Sequence, residues 1–147
     1  PRSEVPVAPG GPRANASSSE GPAGATARWQ ELVEVAATAA HVYTECARIW
    51  NPIHTDVAVA RRAGLSAPIL HGTATLALAV SRVLARDLGG EPGRVAAIHA
   101  RFTGMVPMPS WFTVRGRPAD GPGVAFDAVG PDGVPVLSQG VLIPCDR

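Results

Sequence analysis

Residues 51–88 read NPIHTDVAVARRAGLSAPILHGTATLALAVSRVLARDL, and the reading of this stretch decides the fold. Pro52 pushes Asn51 out of the helical region, so a helix arriving from upstream must stop there. Asp56 then stands where an N-cap is needed for a short helix from Val57 to Ala63, and Gly64 supplies its stop. A second start at His71-Gly72-Thr73 opens a helix that runs to Leu88, where Gly89 and Gly90 end it. Apolar side chains fall on almost all faces of that helix, which is the pattern of a buried one.

Working outward, Val42, Cys46 and Ile49 recur at spacings of four and three and predict a helix over residues 39–49. Leu32 to Ala36 predicts a short strand. Downstream the pattern changes, and residues 94–103, 110–117, 123–129 and 134–143 are strand-like runs set apart by Pro and Gly clusters. Pro131-Asp132-Gly133 is a tight-turn signature between the last two runs. One strand, short helices, a long helix and then an antiparallel meander make an α+β order, and a sheet wrapped around the long helix is the simplest way to bury it. Residues 1–26, rich in Pro, Gly, Ala and Ser without apolar periodicity, predict a flexible tail. Residues 27–147 then form a single domain.

Composition narrows the function. At 147 residues one core is expected, and 46% hydrophobic against 17% charged residues argues for a well-filled interior. The net charge is +1, and the thirteen cationic side chains, all Arg, are scattered, so a nucleic-acid partner is excluded. The longest apolar stretch is interrupted by His71 and Arg82, which makes poor material for a bilayer span. Cys46 and Cys145 lie far apart without metal-type or redox-type spacing; two reduced thiols in a cytoplasmic protein are the expectation.

The residues also carry a resemblance. Tyr43, then Asn51-Pro52-Ile53-His54 with Asp56, then Ala63-Gly64-Leu65 and Pro68-Ile69-Leu70-His71-Gly72, resemble in order the pattern of the MaoC-like, (R)-specific enoyl-thioester hydratase/dehydratase family. Phe102-Thr103 ahead of Val106-Pro107 is similar to that family's continuation, so the likeness runs from Trp29 to Ile143. It implies a hot-dog fold, with an antiparallel sheet wrapped around the helix that starts at Gly72, and an active site near the interface of two such domains. It also implies an acyl-CoA or acyl-carrier-protein thioester as substrate, no cofactor or metal, and a homodimer or a pairing with a second hot-dog domain.

In that family an Asp and a His activate water at a 2-enoyl thioester, and backbone N–H groups at the helix start polarise the carbonyl. Helix N-terminal amides are unsatisfied donors with a favourable dipole, suited to a charge that develops on oxygen. An imidazole titrates near neutrality, so His54 can take a proton from water or return one. The pattern breaks at the acid: the position five residues before His54 is Ile49, and Arg48 stands where the family usually has Gly. Glu45, one helical turn before Ile49, is the best substitute, with a solvated surface carboxylate as its plainer reading. Asp56 reads as an N-cap.

Among the remaining candidates, Asn51 orders the backbone before Pro52 or touches substrate, and Ile49 and Trp50 line the acyl pocket or serve as apolar anchors. His71 guards the entry to the long helix, and Thr73 and Thr75 cap that helix or bond ligand. The sequence supports three functions: a hydratase/dehydratase, a related enzyme repurposed for another reaction at an activated acyl chain such as cyclisation, and a non-catalytic thioester-binding subunit.

Overall fold

A computed structural model describes residues 26–145. The predicted tail therefore lies outside the described residues, save for its last position. Three helices, α1 (Ala39–Ala47), α2 (Val57–Arg62) and α3 (Gly72–Asp87), accompany five strands, β1 (Trp29–Val35), β2 (Val95–Phe102), β3 (Ser110–Arg117), β4 (Val124–Val129) and β5 (Pro135–Pro144). All the strand pairs are antiparallel and the sheet order is β1-β3-β4-β5-β2.

Of the four runs expected to form a meander, only the last three do, joined at the second hairpin by the Pro131–Gly133 turn, where Gly133 takes a φ of 77° and donates to the Gly130 carbonyl at 3.0 Å. The flanking strands do not follow chain order. β1 adds beside β3, and β2 crosses to the far edge beside β5, because the segment after Phe102 turns away from its strand instead of reversing in a hairpin. Residues 68–70 use that segment: Leu70 N donates to Val106 O at 2.8 Å and Met108 N to Pro68 O at 2.9 Å. This short pairing sets where α3 begins.

Alternation of side chains explains the core. Val33 and Val35 of β1, Phe112 and Val114 of β3, Phe126 and Ala128 of β4, and Leu137 and Leu142 of β5 turn to one side and are buried. Ala74, Ala79, Val80 and Val83 of α3 close on them. The end of α3 is tied to β1 by Trp29 Nε1 donating to Asp87 at 2.9 Å and by an Arg28–Asp87 ion pair at 3.0 Å. The indole of Trp29 packs against Gly116, where a Cβ would overlap the ring.

Two expectations are corrected. The long helix is not buried all round: Thr73, Ala77, Ser81 and Ala85, four residues apart, form an exposed stripe, since a single sheet covers only one side of it. The first helix ends at Ala47, not at residue 49, because Arg48 adopts left-handed angles (φ 55°, ψ 38°) that no helix can continue through.

Candidate active site

The chain between α1 and α2 makes a 3-10 turn at Pro52–His54. Asn51 caps it, its side-chain oxygen accepting from Ile53 N at 3.2 Å, so the amide orders the backbone before Pro52. Asp56 caps α2 in the same way, accepting from Ala58 N at 2.7 Å and Val59 N at 3.0 Å. Those two backbone bonds hold its carboxyl below the usual carboxylate range.

These two caps aim His54 at the start of α3. His54 Nδ1 lies 2.8 Å from the carbonyl oxygen of Ile69. A carbonyl only accepts, so Nδ1 carries the proton and, in the neutral ring, Nε2 is left as a bare lone pair. That is the tautomer a proton acceptor needs.

His54 opens on a cleft of about 110 Å3. Ile69, Leu70, Gly72 and Thr75 line its floor, and Phe102, Met105 and Val136 are among the residues of its opposite wall. No side chain caps the start of α3, so its first amides remain available to a ligand. Phe102 sits against Gly72 so closely that a Cβ there would come within 3.2 Å of its ring. Gly72 thus admits both the aromatic wall and a ligand at the helix end. Thr75 donates to the His71 carbonyl at 3.2 Å, which leaves its oxygen lone pairs free to accept.

Behind His54 lies His71, 3% exposed, with the two rings stacked at a centroid distance of 3.7 Å. His71 Nε2 donates along long contacts to Ile49 O at 3.4 Å and Thr44 Oγ1 at 3.3 Å, while its Nδ1 is buried without a partner. Burial, and next the neighbouring His54, push the His71 pKa below 6.5, so its ring stays neutral behind the site. Tyr43 packs on the same ring at 5.0 Å and donates to Thr73 Oγ1 at 2.9 Å. Thr73 is therefore held by Tyr43 at the rim.

Of the residues singled out from the sequence, the cleft brings together His54, Gly72 and Thr75, with His71 supporting from behind. Ile49 (42% exposed) and Trp50 (67% exposed) do not line it. Glu45 is exposed on the last turn of α1, and the helix stops before the turn that would have aligned it with position 49. Among the described residues the cleft lining holds no carboxylate. Met105 and Val136 had no sequence signal, because they reach the cleft from the loop after β2 and from β5; Phe102 stood in the recognised pattern without a role.

The MaoC like domain, as a family description, matches residues 20–119. Fatty acid synthase subunit beta of Aspergillus oryzae is 42% identical over 78 residues, which are 52% of this chain and 4% of that protein. The full-length structure of peroxisomal multifunctional enzyme type 2 from Drosophila melanogaster superposes with a TM-score of 0.75 at 28% identity, covering 81% of this chain and 22% of that one. R-hydratase PhaJ1 from Pseudomonas aeruginosa shares the fold at 18% identity, with a TM-score of 0.67 over 81% of this chain and 80% of that one. The chain thus spans only a small part of the first two relatives.

Proposed function

The chain belongs to the MaoC-like domain family, and from that premise we propose that it hydrates 2-enoyl thioesters, or dehydrates 3-hydroxyacyl thioesters, with His54 as the proton-moving group. The observation that carries this reading is the pairing of a bare His54 Nε2 with the uncapped start of α3 in one cleft.

In the forward direction the thioester oxygen lies at the Gly72 amide region, and water rests between Thr75 Oγ1 and His54. Water oxygen bonds to the third acyl carbon as one of its protons passes to Nε2, and the electron pair of the double bond moves toward the thioester oxygen. The helix-end amides stabilise that negative charge. The imidazolium then returns the proton to the second carbon. One histidine serves both transfers, so the reaction balances without a second acid. Loss of the conjugated chromophore of trans-2-enoyl-CoA substrates, and its appearance from 3-hydroxyacyl-CoA, tests the proposal; no reaction in either direction at any chain length rejects it.

The cleft's lack of a carboxylate favours one second reading, another addition at the same activated double bond, such as a cyclisation in which a hydroxyl of the acyl chain replaces water. An acyl chain bearing such a hydroxyl would then yield a ring product instead of a diol.

The active form in this proposal is a homodimer in the cytoplasm. Val42, Ile49 and Trp50 stand exposed around the end of α1, a surface suited to a second copy or a second hot-dog domain. Among the described residues no helix is long and apolar enough to cross a membrane. Molar mass in solution from light scattering separates a dimer from a monomer.

A further inference from the structure

The proposed hydration has His54 accept a proton and return it from one place, yet among the described residues its ring makes a single hydrogen bond, from Nδ1 to Ile69 O at 2.8 Å. One bond leaves the ring free to swing about it, because the ring torsion of a histidine lies in a broad well. His71 closes that freedom: its ring stacks on that of His54 at a centroid distance of 3.7 Å, with 25° between the planes. His71 is itself held from α1 and from the loop that follows. The Tyr43 ring tilts against it at 5.0 Å, Thr44 Oγ1 lies 3.3 Å from Nε2, and Ile49 O accepts from Nε2 at 3.4 Å. Ile49 thus leaves its side chain 42% exposed and gives the site its carbonyl, so the position without an acid serves through its backbone.

We propose that His71 is a positioning residue: its ring is the plate against which His54 is held, so that Nε2 stays aimed into the cleft through both proton transfers. The inference rests on the hydratase reading of that cleft. The polar atoms of His71 do not account for its place, since both Nε2 contacts are long and the buried Nδ1 has no partner, which costs stability. The flat face does account for it, being the part that touches His54. The cleft lining also holds no carboxylate to meet the charge on the His54 imidazolium, with Glu45 exposed on α1 and Asp56 taken up in capping α2. An aromatic face at stacking distance attracts a cation, and burial keeps the His71 ring neutral so that it does not repel one.

His71→Phe and His71→Leu in the full chain test this. Phe keeps the flat face and drops both nitrogens, while Leu fills similar space without a face. On one enoyl-CoA, His71→Phe should keep kcat within about threefold of the parent, whereas His71→Leu should lose about 10–10²-fold in kcat with KM within about twofold, since a misaimed base costs rate and not thioester binding. Long-range proton–nitrogen NMR spectra, which need no substrate, should show neutral His54 with its proton on Nδ1 alone in the parent and in His71→Phe, and shared between both nitrogens in His71→Leu. His71→Met takes the place of the Leu variant should that one not fold. A parent His54 spread over both tautomers, a folded Phe variant as slow as Leu, or a Leu variant as fast as the parent overturns the inference. A tautomer mixture confined to His71→Leu, without hydration by any of the proteins, would sink the hydratase reading and leave the plate standing; hydration at equal kcat in all three would do the reverse.

Discussion

Replacing His54 by Asn separates proton transfer from placement. In the parent, Nδ1 donates to Ile69 O at 2.8 Å, and Nε2 opens on the cleft. An Asn amide nitrogen can take over the first bond, because it stands near the place of Nδ1, but it offers no base at the place of Nε2. Loss of a general acid–base group costs about 10²–10⁴-fold in rate, which is about 3–5 kcal/mol of transition-state stabilisation. Folding should change little, since one neutral hydrogen bond replaces another worth about 1 kcal/mol. His54→Ala removes both functions, leaving the half-buried Ile69 carbonyl unpaired for an added stability loss of about 1 kcal/mol. It also uncovers the face of His71 on which the ring stacks. The assay is kcat/KM on one enoyl-CoA together with the denaturant midpoint of all three proteins. A folded Asn variant that kept more than about a tenth of the parent kcat/KM would refute proton transfer at Nε2, because that loss lies below the range such groups supply.

Three further outcomes are expected. Arg48→Gly should stabilise the protein by about 0.5–1 kcal/mol in denaturant titration, since left-handed angles cost a non-glycine residue about 1–2 kcal/mol and the entropy of a freer glycine offsets part of that; an unchanged midpoint would mean that the αL conformation is not strained here. Gly116→Ala should cost about 1–3 kcal/mol, because the new methyl displaces Trp29 and with it the bond to Asp87; a neutral result would show that the indole can shift freely. The third outcome concerns pH. His71 has a folded pKa below its unfolded value of 6.5, so the neutral ring contributes stability that is fully present above pH 6.5 and is lost as pH falls through the lowered value. His71→Gln should flatten that acid-side loss in thermal midpoints measured against pH, and an unaltered slope would assign it to other groups.

Much of the architecture was legible because it is local. Pro52, Asp56, Gly64 and the paired glycines after Leu88 punctuate the chain by φ restriction and capping, effects that act within a few residues. The meander runs came within a residue or two of the strands at 110–117, 124–129 and 135–144, since period-two burial is written in the order of side chains. The end of α1 was not legible. An Arg rarely adopts left-handed angles, so the residue at position 48 did not itself signal the stop; only the family's usual Gly at that place pointed to a left-handed cap there.

For the site, the chain by itself determined that His54 and Gly72 belong to one constellation and that the acid expected at position 49 is an Ile. Those are matters of residue identity and spacing, which survive without coordinates. Tertiary structure alone decided the proton's place on His54, because the partner that settles it is a backbone carbonyl fifteen residues away. It alone brought Phe102, Met105 and Val136 to the cleft, since β2 crosses to the far edge of the sheet and no local pattern encodes a crossing. It also set Ile49 and Trp50 outside the cleft lining, where the turn at Arg48 leaves them exposed. Apolar character was visible in the sequence; the side of the backbone it faced depended on one residue's φ.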